Sequence, residues 1–224
     1  MSTDKQTEEK IFESATEIFL IKGMDGARMQ DIANHAGINK SLLHYYYRSK
    51  EKLFNAVFEA MAKKMFLKIN PVFSEGMSLE DKIRLFFNEH ISFLQKNPRL
   101  PIFILNEINR NPKRIKKIII NINVERSWNV LAEQYKSEFG GYQFSVDNLI
   151  QIITSIVSMS VFPFAARGVI ESLLEKTDMR FDDYLEARKA FAAEFVIGAL
   201  KNESLNKLPT TAPIPKSKKK KSKK

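Results

Sequence analysis

The chain has 224 residues, 44% of them apolar, with seventeen Phe and eight Met against eight Gly and eight Pro. That length suits one large domain or two small ones, and the composition excludes collagen-like, elastic and disordered classes. Cys is absent, which removes disulfide scaffolds, Cys-type zinc sites, iron–sulfur clusters and thiol nucleophiles together.

The net charge of +10 is unevenly placed. The last nine residues, Lys216 to Lys224, hold seven Lys and no acid, so the rest of the chain carries 29 basic against 26 acidic groups. Arg28, Lys40, Arg48, Lys50 and Lys52 stand against only Asp31 and Glu51 in the segment 28–52, which accounts for that remaining excess. A short basic segment in a near-neutral body suits contact with a polyanion through one end. The stretch Met1–Lys10 is polar and mixed in charge, with no basic region leading into an apolar one, so a cytoplasmic location is expected.

From Thr7, the apolar residues Ile11, Ala15, Ile18 and Phe19 recur at helical spacing, with Thr7 as a capping residue and Gly23 as a stop, predicting a helix over 8–22. Two short pieces follow, Gln30–Ala36 and Asn39–Tyr47, joined by a turn at Gly37. Ser49 then caps a long helix with Leu53, Val57, Met61 and Met65 on one stripe. Beyond Pro71 the pattern remains helical over 78–97, 99–109, 112–138, 146–166, 168–176 and 182–201, punctuated by Asn97-Pro98, Asn111-Pro112, Gly140-Gly141 and Thr177-Asp178. No alternating β-branched run interrupts it. The expected fold is all-α with nine or ten helices, divided into 1–50, 51–208 and a disordered lysine-rich tail 209–224.

Asn148 to Ala166 is nineteen residues without a charge, close to the roughly 20 that a bilayer span needs. It nevertheless contains Gln151, Thr154, Ser155, Ser158, Ser160 and Pro163. Two apolar stripes, Ile152/Ile156/Met159 and Ile153/Val157/Phe164, lie on neighbouring faces. Such a helix is expected to be enclosed in its own domain and to meet a second subunit, with no membrane contact.

The segment 29–47 carries the functional signal. Ala33 is small where two steeply crossed helices approach, Gly37 supplies the left-handed turn, and Ile32, Ala36, Ile38 and Leu43 are spaced as an interior wedge. Asn39 can cap the second helix. This is helix-turn-helix geometry, in which the second helix enters the major groove of double-stranded DNA with its N-terminal residues leading, here Asn39, Lys40 and Ser41. Tyr45 and Tyr46 offer hydroxyls further along it, Arg28 belongs to the same basic segment, and Lys50 opens the next helix, where free N–H groups favour a phosphate. The alternative is that these polar residues are solvated faces of a small bundle and the tyrosines are half-buried packing.

Ile18-Phe19 with Gly23, Asp31-Ile32-Ala33, Ala36-Gly37-Ile38, Leu43-His44-Tyr45-Tyr46-Tyr47 and Ser49-Lys50-Glu51-Lys52-Leu53-Phe54 together resemble the DNA-binding domain of the tetracycline-repressor (TetR) family of bacterial regulators. The resemblance implies base or phosphate contacts from Gln30, Lys40, Ser41, Tyr45, Tyr46 and Lys50. The sequence departs from that pattern at Leu42, where a Thr often meets a phosphate, at His44, where Tyr is usual, at Tyr47, where Phe is usual, and at Met29, where a hydroxyl residue often caps the helix. Leu42 can touch a thymine methyl instead. The resemblance further implies a C-terminal domain that binds a small effector and dimerises through its last two long helices.

Helix-turn-helix proteins usually pair to read two half-sites, so a homodimer on an inverted-repeat operator is expected. The expected interface is helix 146–166 with the last helix, where Ala190, Ala192, Ala193, Gly198 and Ala199 alternate with Phe191, Phe195 and Val196; the alternative is that both helices serve only the monomer core. An apolar effector of unknown identity would be lined by Phe66, Phe87, Phe103, Trp128, Met159 and Phe162, residues that serve a plain core equally well. The lysine tail can add sequence-independent phosphate contacts; if it dominated, the protein would be an architectural DNA-coating protein. His35, His44 and His90 have no metal-ligand spacing and no Gly-rich phosphate loop or nucleophile elbow is present, so no metal, cofactor or catalytic residue is expected.

Overall fold

Helix propensity with a 3.6-residue apolar period runs through most of the chain, and the backbone follows it. The structure, a computed structural model, describes residues 3–67, 76–114, 124–139 and 146–202. Among them are α1 (Thr3–Gly26), α2 (Met29–Ala36), α3 (Lys40–Tyr46), α4 (Lys50–Leu67), α5 (Leu79–Lys96), α6 (Leu100–Arg110), α7 (Val124–Phe139), α8 (Val146–Ala165), α9 (Arg167–Leu174) and α10 (Phe181–Lys201), with no strand among the described residues. The all-α reading holds.

Two boundaries differ from the sequence reading. The first helix starts at Thr3, so Thr7 lies inside it, and it resumes after a kink at Gly23, whose φ of 64° is the left-handed conformation that glycine tolerates. The expected helix 112–138 is seen as one helical turn at 112–114 and as α7; its residues 115–123 lie outside the described residues, as does the tail 209–224.

The apolar faces meet in two cores. The first gathers Ile11, Ala15 and Phe19 of α1, Ile32, Ala33 and Ala36 of α2, Leu43 of α3, Leu53, Phe54, Val57 and Phe58 of α4, and Leu100, Phe103 and Ile104 of α6. Its centre is aromatic: Phe54 meets Phe19 edge-on at 4.9 Å and Phe103 at 5.7 Å. Each such buried ring stabilises the fold by about 1.5–3 kcal/mol. Arg114 closes one side, paired with the buried Glu107 and lying over the Phe54 ring at 5.1 Å.

The second core joins Ile83, Phe86, Phe87, Ile91 and Leu94 of α5 to Leu131 and Tyr135 of α7, Phe164 of α8, and Leu185, Ala192, Ala193, Val196, Ile197 and Leu200 of α10. Ser78 caps α5 by accepting from the Asp81 N–H at 3.1 Å. At that end Gln134 accepts from Lys82 Nζ at 2.6 Å and donates to the Met77 carbonyl at 2.7 Å, which ties α7 to the start of α5.

Helix α8 is less enclosed than its composition suggests. Ser160, Pro163 and Phe164 are buried, whereas Ile150 and Phe162 face outward. No single helix among the described residues is long and apolar enough to cross a membrane, and α8 reaches such a length only with α9, across a 75° bend.

His90 of α5 is only 1% exposed. Its Nδ1 lies 3.0 Å from Ser160 Oγ, and its ring stacks on Phe86 at 5.0 Å. Burial pushes its pKa down from 6.5 to about 4. The unfolded chain therefore binds a proton between these values that the folded chain refuses, so stability falls as pH drops from about 6.5 toward 4. Urea unfolding across that window should show a loss approaching 3 kcal/mol, and His90→Gln should remove most of that dependence.

Candidate nucleic-acid interface

The reading head is built on the turn between α2 and α3. Gly37 sits at φ 64° and ψ 34°, and the turn closes with Gly37 N–H donating to Asn34 O at 3.1 Å and Ile38 N–H to Ala33 O at 3.0 Å. The Asn39 side chain then accepts from the Leu42 N–H at 2.7 Å and starts α3. Ile32, Ala33, Ala36 and Leu43 are fully buried, with Ile38 packed against them. The wedge expected from the sequence forms.

That wedge fixes which side of α3 faces out. Leu43 points into the core and Leu42 and Tyr46 are half-buried, while Lys40, Ser41, His44 and Tyr45 are exposed, Tyr45 by 77%. Positions 40, 41, 44 and 45 form one stripe along a helix. Arg28 and Gln30, at the start of α2, are exposed as well; the Gln30 amide donates to Asn34 at 2.8 Å. Met29 is a core residue, and α2 starts without a side-chain cap.

Local contacts set the charge of this surface. Lys22 pairs with Asp31 at 2.7 Å, and this hydrogen bond holds the Asp31 carboxyl below its ordinary range. One of the two acids inside the basic segment is thereby offset. Lys50 Nζ donates to the Ala27 carbonyl at 3.1 Å, which steers its ammonium back to the start of α2 and leaves it two further donors. Ser49 Oγ accepts from the Lys52 N–H at 3.2 Å and caps α4.

The tyrosines divide. Tyr46 donates to the Asp4 carboxylate at the start of α1, which raises its pKa, and it meets the Tyr45 ring edge-on at 5.5 Å. Tyr46 thus buttresses α3, and Tyr45 is left to project. Asp4, Lys22 and the Ala27 carbonyl were not foreseen from sequence, because each lies at least nine residues along the chain from the side chain it meets.

Of the residues suggested as an effector wall, Phe87 lies in the second core with Met159 packed against it, Phe103 belongs to the first core, Phe162 is 55% exposed, and the side chains of Phe66 and Trp128 lie outside the described residues. A cleft of about 240 Å³ opens between α1, α4 and α6, bordered by Phe19, Phe54, Ile102 and Asn106. It takes Phe103 alone from the suggested set. Among the described residues no group of three His, Cys, Asp or Glu is placed to hold a metal.

Removing the Asn39 cap should cost about 0.5–2 kcal/mol of stability. Asn39→Ala is expected to lower the urea midpoint by that amount and Asn39→Asp to restore most of it; an unchanged midpoint for Asn39→Ala would show that the cap contributes nothing.

Residues 11–57 match the model of the bacterial regulatory proteins of the tetR family. The HTH-type transcriptional regulator YuxN of Bacillus subtilis is 22% identical over 184 residues, which span 78% of this chain and 62% of YuxN. The HTH-type transcriptional repressor SCO4008 of Streptomyces coelicolor is 44% identical over 53 residues, 24% of this chain and 28% of that protein. Neither match reaches two thirds of the relative's own length. The fold is similar to that of the TetR family regulator PfmR from Thermus thermophilus, with a TM-score of 0.60 and 18% identity, covering 84% of this chain and 97% of that one. The match to the tetR-family model thus falls on α1 to α4, the turn and wedge described above, and the fold as a whole is similar to that of a solved regulator of that family.

Proposed function

We propose that the chain is a sequence-specific DNA-binding transcriptional repressor of the cytoplasm that acts as a homodimer and leaves its operator when a small apolar ligand binds. The observation that carries this reading is the outward stripe Lys40, Ser41, His44 and Tyr45 on a helix whose opposite side is locked into a core. Arg28, Gln30 and Lys50 flank it as phosphate-positioning groups, and Asn39 supports it as the cap of α3 rather than as a free base contact. Leu42 and Tyr46, half-buried at its edge, act on the backbone side of the groove. Repression is favoured over activation because occupying promoter DNA requires no further surface. The division into a DNA-binding part, an effector and dimerisation part and a lysine tail belongs to the same proposal.

Pairing follows from how α8 and α10 distribute their apolar residues. Ala192, Ala193 and Val196 are consumed by the monomer core, whereas Phe191 and Phe195, stacked at 6.2 Å and the latter 61% exposed, point outward. Ile150 and Phe162 do so on α8. Apolar surface of this kind, with small Ala190 and Gly198 between the rings, fits a second copy related by a two-fold axis. Phe195→Glu should convert the dimer to monomers in sedimentation velocity with unchanged circular dichroism; a persistent dimer would move the interface elsewhere.

Selection of duplexes from a random pool should recover an inverted repeat with half-sites about 34–36 Å apart. Lys40→Ala and Tyr45→Ala should each weaken binding to it by about 1–3 kcal/mol. Binding without any enriched sequence at about 150 mM salt would instead favour an architectural role dominated by the lysine tail.

A further inference from the structure

Helix α3 is seven residues long, and of these Leu43 alone is buried. A helix that short does not hold its shape by itself, so its ends must be fixed from outside. The N-terminal end has the Asn39 cap. The C-terminal end has α1: Tyr46 gives its hydroxyl hydrogen to the Asp4 carboxylate, reaches the Asp4 carbonyl at 3.3 Å, and has the Thr7 side chain bonded to the same hydroxyl. One turn further along α1, the Glu8 carboxylate lies beside Tyr47, the residue that ends α3. The first two turns of α1 thus clasp the far end of the helix that carries the exposed stripe.

The clasp decides what Tyr46 can do on DNA. A phenol whose hydrogen is committed to Asp4 keeps only lone pairs, and a phosphate oxygen is an acceptor as well. Tyr46 therefore serves at the backbone edge of the groove as a brace and not as a phosphate donor. The Tyr45 ring stands edge-on to Tyr46 at 5.5 Å, so what fixes Tyr46 also fixes the direction in which Tyr45 projects. The acid itself stands against DNA binding. Asp4 is exposed and one side chain removed from Tyr45, a separation comparable to the roughly 10 Å over which charges act at 0.1 M salt. A carboxylate so placed weakens every contact with phosphate, and its place is explained by what it holds.

We propose that Asp4, by accepting from Tyr46, is a positioning residue that sets operator specificity, at the cost of affinity for DNA of any sequence. The specificity role rests on the reading of the chain as a sequence-specific regulator; the clasp itself does not.

The test compares the full chain with Tyr46→Phe, Asp4→Ala and Asp4→Asn, on the duplex recovered by selection and on random duplex, from about 50 to about 300 mM salt. Tyr46→Phe keeps the ring and the charge and removes only the donor. It should weaken operator binding about threefold to tenfold and leave random duplex unchanged. Asp4→Ala should lower the operator-to-random ratio by the same factor while binding random duplex about two- to threefold tighter at low salt, a gain that fades at high salt. Asp4→Asn keeps an acceptor without the charge, so both duplexes should tighten and the ratio should be preserved. Asp4→Ala combined with Tyr46→Phe should lose no more of the ratio than either alone.

Equal weakening of both duplexes by Tyr46→Phe would make Tyr46 a phosphate donor and overturn the proposal. So would an unchanged ratio in Tyr46→Phe, or a ratio lost as fully in Asp4→Asn as in Asp4→Ala. Should Asp4→Ala lose its circular dichroism, Tyr46→Phe, which removes one oxygen, decides alone. If the unaltered chain enriches no sequence, the regulator reading falls and the specificity role with it. The clasp is then judged on ¹³C-labelled tyrosine, where the Tyr46 phenol should ionise at lower pH in Asp4→Ala than in the unaltered chain. If a sequence is enriched and the ratio does not move, the regulator reading stands and the proposal falls.

Discussion

The insertion of α6 into the core of the reading head is the contact on which the remaining structure depends. Leu100, Phe103 and Ile104 are buried with α1 and α4, and Phe103 meets both Phe54 and Phe58, at 5.7 and 6.0 Å. Without these side chains α1 and α4 would present an open apolar face, since α2 and α3 are too small to cover Phe54 and Phe58 themselves. The head is thus completed by a segment that comes after α5. The helix that completes it also packs against α8. Arg114 adds directionality: paired with the buried Glu107 and lying over Phe54, it fixes the end of α6 in one rotational setting on α4.

That arrangement has a mechanical corollary. Close-packed interiors shift between discrete arrangements and do not deform smoothly. A change in how α8 sits on α5 must be absorbed by α6 or passed through it, because α6 touches α8 on one side and the Phe54 cluster on the other. His90 and Ser160 lie at the α5–α8 contact. The exposed Arg110–Asp25 pair at the end of α6 opposes little of such a shift, because exposed ion pairs are weak.

Most of this architecture was legible in the sequence because it obeys local rules. The turn required Gly37, the cap required Asn39, and the wedge required Ile32, Ala36, Ile38 and Leu43; each was readable from spacing alone, and the structure realises all of them. Legibility failed where a partner is distant in sequence. Nothing in the local pattern of Tyr46 reveals that Asp4 will accept its hydroxyl, nor does Phe103 reveal that it belongs to the head and not to a cavity among later helices. An apolar residue at helical spacing says that some face is buried and is silent about which core receives it. The start of α1 failed for a related reason: Thr3–Gln6 has no apolar stripe, and Asp4 at the start of the helix is held from outside by Tyr46.

The same distinction governs the charges. Counted along the chain, the segment 28–52 has a modest positive excess, and contacts from outside the segment and within it set where that charge lies. Asp31 is neutralised by Lys22 from α1, and Lys50 is drawn by the Ala27 carbonyl to the start of α2. Lys40 remains on the exposed stripe beside Ser41, His44 and Tyr45. These four supply a cation, a hydroxyl, an imidazole and a phenol within two turns, a set able to address both phosphate oxygens and base edges. Specificity needs such chemical variety held in a fixed register, whereas a lysine run offers charge without register. The rigid wedge beneath α3 supplies that register, and it is built from residues buried on the side of the helix opposite the exposed stripe.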